Sequence, residues 1–448
     1  MLSDPIAAIA TPPGRSGVAL LRLSGAGVHA VAGRVLRRFQ VEPLRTARLA
    51  EASHPSSGEL LDRVLYVTFR APHSYTGEDM VEVSTHGGLL VPSEVLGAAI
   101  AAGARLAGPG EFTRRALANG KLDLLQAEAI ADLVGATAPV QRRAALGQLD
   151  RGLSQRIGEL RQRLLDLESL LSYEIDFPEE DAGPVSEERV QGSTAALETQ
   201  LTALLRTSGE GERLREGAVV VIAGRPNTGK SSLFNALLGT ERAIVTAIPG
   251  TTRDAVEAPA TCDGFPFRLI DTAGLRDSED VVERMGVEVS HRYLRAADVV
   301  IFCAEAGRAV TDEERAFVRG LATQAVMVRT KLDLLDGRGE GDDGDVAVSA
   351  LTGEGLDVLR TTLTRRAFTT LAARGDVELV VTRERHRIAL EEALHEVRAF
   401  REARRHGLDA IVAATHLRTA VTALEDLVGV VTPDEVLDRV FASFCVGK

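Results

Sequence analysis

The chain has 448 residues, 45% hydrophobic and 26% charged, enough apolar material for about three cored domains and a composition unlike that of a disordered chain. Its 52 Lys and Arg against 64 Asp and Glu give a formal charge of -12, which excludes a generally basic nucleic-acid-binding coat and confines RNA contact to local patches. The three scattered cysteines, Cys262, Cys303 and Cys445, exclude a disulfide scaffold and point to a reducing compartment. No apolar run reaches membrane-spanning length and the N-terminus lacks a secretory pattern, so a cytoplasmic protein is expected.

Residues 1 to about 117 mix short apolar runs with turn chemistry. Val18 to Leu23, Val64 to Phe69 and Met80 to Val83 read as strands, and Pro92 to Ala102 as a helix, so a compact α+β domain is expected. From Leu122 the texture becomes helical. Leu149, Leu153, Ile157, Leu160, Leu164, Leu167 and Leu171 recur at steps of four and three, which predicts one helix face, either a buried bundle seam or a two-chain coiled coil. A loop at 176–184 precedes another helix to about Arg215. Strands and helices then alternate from 217 to about 370, and the chain is helical again after Gly375. An α/β domain thus interrupts a helical one built from two separated segments.

The α/β segment carries nucleotide chemistry. Gly224 to Ser231 reads Gly-Arg-Pro-Asn-Thr-Gly-Lys-Ser between the strand Ala218 to Ile222 and a helix opening at Ser232. Glycines let backbone N–H groups close around phosphates, and the helix N-terminus adds its positive end. Asn227, Thr228 and Gly229 belong to this loop; Lys230 reaches the β- and γ-phosphates, and Ser231 offers a hydroxyl to magnesium. A strand ending in Asp271-Thr272-Ala273-Gly274 offers a carboxylate to magnesium and an N–H to the γ-phosphate. A second strand ends in Thr330-Lys331-Leu332-Asp333, where the carboxylate accepts two donors from guanine. Ser349-Ala350-Leu351 is placed for the base carbonyl. Together, in this order, they predict GTP rather than ATP. The usual guanine motif has Asn where this chain has Thr330, so weaker base binding is expected.

Leu275 stands where a Ras-type switch has a water-orienting Gln, so something else must hold the attacking water. Thr246 to Asp254 is the expected first switch, and Asn227 could face it. An oxygen-rich pocket there suits a monovalent cation, which neutralises charge as an arginine finger does. Arg253 is either such a finger or a structural arginine. Glu283 is either a water-orienting carboxylate or a surface charge. The terminal Phe441-Ala-Ser-Phe-Cys-Val-Gly-Lys448 suggests docking, with Cys445 either a buried structural thiol, the preferred reading, or a reactive one. Arg383 to Arg387 and Arg398 to Arg405 read as solvated helix faces rather than RNA contacts.

Outside the nucleotide motifs, the chain carries Ala10-Thr-Pro-Pro-Gly-Arg-Ser-Gly17, Ser74-Tyr-Thr-Gly-Glu-Asp79, His86-Gly-Gly88, Pro109-Gly-Glu-Phe-Thr113, Lys121-Leu-Asp-Leu124, Gln126 to Asp132, Val282-Glu-Arg-Met-Gly286 and terminal Phe444-Cys-Val-Gly-Lys448. With these marks it resembles, over nearly its whole length, the tRNA-modification GTPase MnmE (TrmE) family. The resemblance implies an α+β tetrahydrofolate-binding-like N-terminal domain at 1–117 that forms a homodimer, a discontinuous α-helical domain at 118–216 and 373–448, and an inserted α/β P-loop GTPase domain at 217–372. It also implies a flavoprotein partner, MnmG, carrying FAD, in a heterotetramer or larger complex. Together they would add an aminomethyl or carboxymethylaminomethyl group to carbon 5 of the wobble uridine of certain tRNAs. The implied folate, 5-formyltetrahydrofolate or a relative, would contact Arg22, Glu82, Lys121 and Lys448. Potassium would take Asn227, Thr246, the Ile248 carbonyl and Thr251; magnesium would take Ser231 and Thr252. The implied GTP contacts also include Ser232, and Glu283 falls at the family's catalytic glutamate. A ribosome-assembly-type GTPase switch and a one-carbon transferase with a regulatory GTPase domain are the rival expectations.

Overall fold

The computed structural model describes residues 3–176, 187–239, 257–271, 293–335, 345–374, 377, 379–429, 434–442 and 444–447. The chain divides into two compact units: Met1–Ala131 together with Glu425–Lys448, and Asp132–Leu424.

The first unit is built on a six-stranded sheet ordered β3-β4-β5-β2-β1-β6. Its strands are β1 (Ile6–Ile9), β2 (Val18–Ser24), β3 (Arg48–Ser53), β4 (Leu60–Phe69), β5 (Met80–His86) and β6 (Arg105–Leu106). All pairings are antiparallel except β1 with β6. Period-two alternation decides the faces. Leu21, Leu23, Val64, Tyr66, Val81 and Val83 are buried in one core with the helices α1 (Val28–Val35) and α2 (Leu90–Ala101). The alternate residues form an opposite face that runs Leu49, Leu65, Ser84, Leu20 in one row and Val67, Glu82, Arg22, Ala8 in the next. At the β1 end that face is covered by Phe112 of α3 (Glu111–Ala118) and by Tyr75, which pack on Ile6 and Ala8. The chain continues into α4 (Leu124–Gly135). The C-terminal helix Asp434–Ala442 closes this unit, with Phe441 and Phe444 buried against Ala127.

The second unit opens with α5 (Pro139–Leu149) and α6 (Gly152–Asp176). Leu153, Ile157, Leu160, Leu164, Leu167 and Leu171 are buried within the single chain, so the leucine seam is a bundle seam. Leu149 does not belong to it: it ends α5, and Arg151, at φ 68°, breaks the helix before α6 starts. Each fully buried leucine is worth about 1.5–3 kcal/mol. The single helix expected up to Arg215 is two, α7 (Glu187–Leu205) and α8 (Ser208–Glu216), separated at Arg206 and Thr207. The helix Glu384–Arg405 lies along α7, and its arginines are paired: Arg401 with Glu198 at 2.6 Å and Arg404 with Glu187 at 2.8 Å.

The sheet of this unit is ordered β12-β11-β10-β7-β9-β8, from β7 (Ala218–Gly224), β8 (Glu257–Cys262), β9 (Phe265–Asp271), β10 (Val299–Glu305), β11 (Gln324–Thr330) and β12 (Val346–Ala347). Only β8 is antiparallel to its neighbour. β7 lies between β9 and β10, so the strand order reverses there and a crevice opens at the strands' C-terminal ends. Val220, Val221 and Ile222 are all buried, as a parallel strand covered on both faces requires. The core under the sheet joins Ile222, Ile301 and Val328 to Leu233 of α9 (Lys230–Gly239), and also to Val140 of α5 and Leu214 of α8. Among the described residues no helix is long and apolar enough to cross a membrane.

Candidate functional site

The phosphate-loop sequence follows β7 into α9 at the crevice. Gly224 has φ 144°, and a Cβ there would fall 2.4 Å from the Cys303 carbonyl oxygen of β10; only glycine lets the loop leave the strand so close to its neighbour. Asn227 (φ 63°) and Gly229 (φ 82°) are both left-handed, which curls the loop into the concave N–H run that favours anions. α9 starts at Lys230, so its positive end faces the same place. The Thr228 hydroxyl and the Lys230 ammonium both donate to the Arg225 carbonyl, at 2.8 and 2.7 Å. The Ser231 hydroxyl donates to Asp271 Oδ2 at 2.9 Å across the β7–β9 pair. A hydroxyl and a carboxylate meeting beside a phosphate loop are hard oxygen ligands suited to magnesium. Ser232, in the first turn of α9, is exposed. Burial pushes the neighbouring Cys303 thiol up to about 12, with Lys230 opposing and Asp271 reinforcing the shift, so this sulfur is a neutral wall and not a nucleophile.

The base-recognition segment lies one strand further out. Thr330 ends β11, and its hydroxyl donates to the Thr228 carbonyl at 2.6 Å; the Ala304 carbonyl is at 3.3 Å. Lys331 is left-handed at φ 61° and its ammonium is 3.3 Å from Glu305. Buried Ser349 donates to Asp333 Oδ1 at 2.6 Å, which orients an exposed carboxylate that keeps lone pairs for two more donors. Ala350 follows directly.

The first unit holds a separate polar site on the open face of its sheet. Arg22 and Glu82 are direct cross-strand partners, and Arg22 Nε donates to Glu82 Oε1 at 2.8 Å. The Arg22 guanidinium carbon lies 5.4 Å from the centre of the Tyr75 ring. The Tyr75 hydroxyl bonds Thr113 at 2.8 Å, and burial raises its pKa against the opposing pull of that bond and of Arg22, so it stays neutral. Lys121 is exposed and donates to the Pro72 carbonyl at 3.0 Å, on the same loop that carries Tyr75. The C-terminal segment runs beside β1: Val446 bridges Pro109, and Gly447 lies so close to that strand that a Cβ would fall 2.6 Å from the Ile9 carbonyl oxygen.

Behind the site, Arg115 is 1% exposed. It donates to Asp4, Glu78 and Glu111, while Arg105 also pairs with Asp4 and Glu111. Ser24 adds a bond to Glu78 at 2.8 Å. Hydrogen bonding from Arg105 holds Asp4 down at about 2. Burial acts to raise Glu111, but the Arg105 bond and its other partners outweigh it and hold that carboxyl at about 2 as well.

Two family models match the chain: "GTP-binding protein TrmE N-terminus" over residues 5–121 and "MnmE helical domain" over residues 124–445. Full-length relatives match as well. The "tRNA modification GTPase MnmE" of Moorella thermoacetica is 42% identical over 464 residues, covering 100% of both chains. That of Aquifex aeolicus is 40% identical over 453 residues, again covering 100% of both, and that of an Azoarcus species is 43% identical, covering 99% of this chain and 98% of its own. The chain belongs to the MnmE family of tRNA modification GTPases.

Of the positions singled out in the sequence, Gly224, Asn227 to Ser232, Asp271, Thr330, Lys331, Asp333, Ser349 and Ala350 lie at the crevice end of one sheet. Arg22, Glu82 and Lys121 share the first unit. Thr246, Ile248, Thr251, Thr252, Thr272, Ala273, Gly274, Glu283 and Lys448 lie outside the described residues, as do Arg253 and Leu275. The preferred expectation for Cys445 is corrected: it is exposed, because its flanking Phe444 takes the buried position while the Cys445 carbonyl accepts from Gly110 N–H. Sequence reasoning did not single out Tyr75, which the structure places against Arg22. The signal was its place inside Ser74-Tyr-Thr-Gly-Glu-Asp79, which marked the family without revealing what the ring does.

Proposed function

We propose that this chain is a potassium-activated GTP hydrolase that works with a flavoprotein partner, MnmG and its FAD, to add an aminomethyl or carboxymethylaminomethyl group to carbon 5 of the wobble uridine of certain tRNAs. The observation that carries the reading is the full-length match to proteins named for tRNA modification, in a chain that also joins a phosphate loop to a guanine-type recognition loop. Lys230 and the loop N–H groups hold the phosphates, Ser231 and Asp271 with Thr252 serve magnesium, and Asp333 with Ser349 selects guanine. Leu275 cannot orient water, so Glu283 takes that role. Asn227, Thr246, the Ile248 carbonyl and Thr251 would hold potassium, whose charge would offset that developing on the phosphates.

The Arg22–Glu82 pair suits a reduced folate. Glu82 keeps lone pairs for the donors of a pterin edge, and the Arg22–Tyr75 stack gives the ring a flat neighbour. A bound 5-formyltetrahydrofolate would supply the one-carbon unit; Lys121 and Lys448 would meet its carboxylates. A homodimer through the N-terminal domain is supported by the open sheet face, where Leu49 and Leu65 pair across β3 and β4 and are exposed. The proposed division is 1–117, 118–216 with 373–448, and 217–372, in a cytoplasmic protein. The test is GTP turnover in potassium and sodium at matched ionic strength. Strong stimulation by potassium alone is expected, and equal rates would contradict the cation assignment.

A further inference from the structure

We propose that Glu314 is a positioning residue for the phosphate loop: it anchors the Arg225 side chain and so fixes the carbonyl on which Thr228 and Lys230 are set. The proposal rests on reading Gly224 to Ser231 as the phosphate site. Arg225 directly follows Gly224. Its carbonyl accepts from the Thr228 hydroxyl at 2.8 Å and from the Lys230 ammonium at 2.7 Å. Its side chain reaches the start of the helix Asp312–Gly320. There Nε lies 3.0 Å from Glu314 Oε1, and Nη2 donates to the Thr311 hydroxyl at 3.3 Å. Exposed Glu313 is further off, at 3.5 Å. One residue thus has its main chain in the loop's internal bonds and its side chain tied to a neighbouring element. A bound phosphate competes with the Arg225 carbonyl for the Lys230 ammonium, so the place of that carbonyl decides where the ammonium starts.

Glu314 does more than start its helix. It is the single buried residue of that helix, 5% exposed. Its Oε2 accepts from the Thr311 N–H at 2.9 Å, and the Thr311 hydroxyl accepts from the Glu314 N–H at 3.3 Å, which completes a capping box. That uses one carboxylate oxygen. The other, Oε1, takes Arg308 Nη2 at 2.6 Å and faces Arg225 Nε, and a helix cap needs neither guanidinium. Burial acts to raise the carboxyl's pKa, but the Thr311 N–H and the two arginines outweigh it and hold the group below its ordinary value, so it is charged. The anchor is itself fixed to the sheet. The Arg308 carbonyl accepts from Arg329 Nη1 of β11 at 2.8 Å, and Arg329 Nε donates to Asp345 at 2.8 Å.

Titration of GTP and GDP against the full chain tests this, together with GTP turnover. Glu314→Gln keeps the helix cap, because glutamine also serves that position of a capping box, and removes the charge. It should weaken GTP and GDP alike by about fivefold, the upper end for a partly exposed ion pair. KM should rise with that loss while kcat stays within about twofold, since the loop holds the phosphates in ground and transition state alike. Arg225→Met should show the same loss and Arg225→Lys should recover most of it. Arg225→Met combined with Glu314→Gln should lose no more than either alone, as expected when two residues act through one contact. Wild-type affinity in Glu314→Gln, or losses that multiply in the double variant, would overturn the positioning role while leaving the phosphate loop in place. Wild-type nucleotide affinity in Lys230→Ala would overturn the phosphate-loop reading, and this inference with it.

Discussion

The Thr330 hydroxyl donates to the Thr228 carbonyl at 2.6 Å, so the strand that carries the proposed base-recognition residues is bonded to the proposed phosphate loop. A threonine hydroxyl is short, yet here it spans the gap because β11 ends directly beside the loop. The departure from the usual Asn therefore falls on a residue that ties the two proposed ligand-binding segments together.

Thr330→Val keeps the shape and removes the donor, leaving the buried Thr228 carbonyl short of a partner. An unmatched buried polar group costs about 1–3 kcal/mol. GTP and GDP affinity should both fall by about fivefold or more, with no change in the preference for guanine. Titration of both nucleotides checks this; unchanged affinity would mean the bond is incidental.

Asp333→Asn should act differently. The amide can still accept from Ser349 through its oxygen, but it turns one guanine-facing acceptor into a donor. Preference for GTP over ATP should drop by about 1–3 kcal/mol. Parallel titrations of the two nucleotides with wild type and variant decide it, and unchanged discrimination would remove Asp333 from the base pocket.

The Arg115 cluster makes the first unit acid-sensitive. Asp4 and Glu111 are depressed from ordinary values of 3.8 and 4.5 to about 2. The stability they contribute is fully present above those ordinary values and is lost as pH falls from about 4.5 toward 2. Glu111→Gln should flatten that part of the pH–stability curve. Arg115→Met should cost about 3–5 kcal/mol at neutral pH, because Glu78 and Glu111 keep their charge without the central guanidinium. Hydrogen exchange on β1, β2 and α3 against pH reads both effects locally.

The tail gives a further prediction. Phe441 and Phe444 are buried in the first unit, and their rings are 5.2 Å apart. Phe444→Ala should destabilise that unit by about 3 kcal/mol. Deleting Cys445 to Lys448 removes the Pro109–Val446 bridge and Gly447 from beside Ile9. It should weaken folate binding and leave GTP hydrolysis near normal, since the nucleotide residues belong to the other unit. Calorimetry and a turnover assay on the same preparation separate the two.

The local geometry of the candidate nucleotide site was legible because its determinants are local. A glycine-rich loop between a strand and a helix, and short motifs at strand ends, carry their geometry within a few residues. β2, β4, β5 and α2 were legible from alternation and apolar runs. β1, β3 and α1 were not, being short and lacking a distinctive pattern. The helix break at Arg151 was hidden because nothing in Arg-Gly marks a left-handed arginine inside a leucine periodicity. The Arg115 cluster and the Thr330 tie were beyond reach for another reason. Their partners lie 111 and 102 residues away, and single-chain periodicity holds no record of such pairings.

We propose that GTP hydrolysis by this chain serves modification of the wobble uridine. The direct measurement is mass-spectrometric nucleoside analysis of tRNA from a strain lacking the gene, complemented with wild type or with Lys230→Ala. The carbon-5 substituent should disappear in the deletion, return with wild type and fail to return with Lys230→Ala. Full modification in the deletion strain, or restoration by Lys230→Ala, would contradict it.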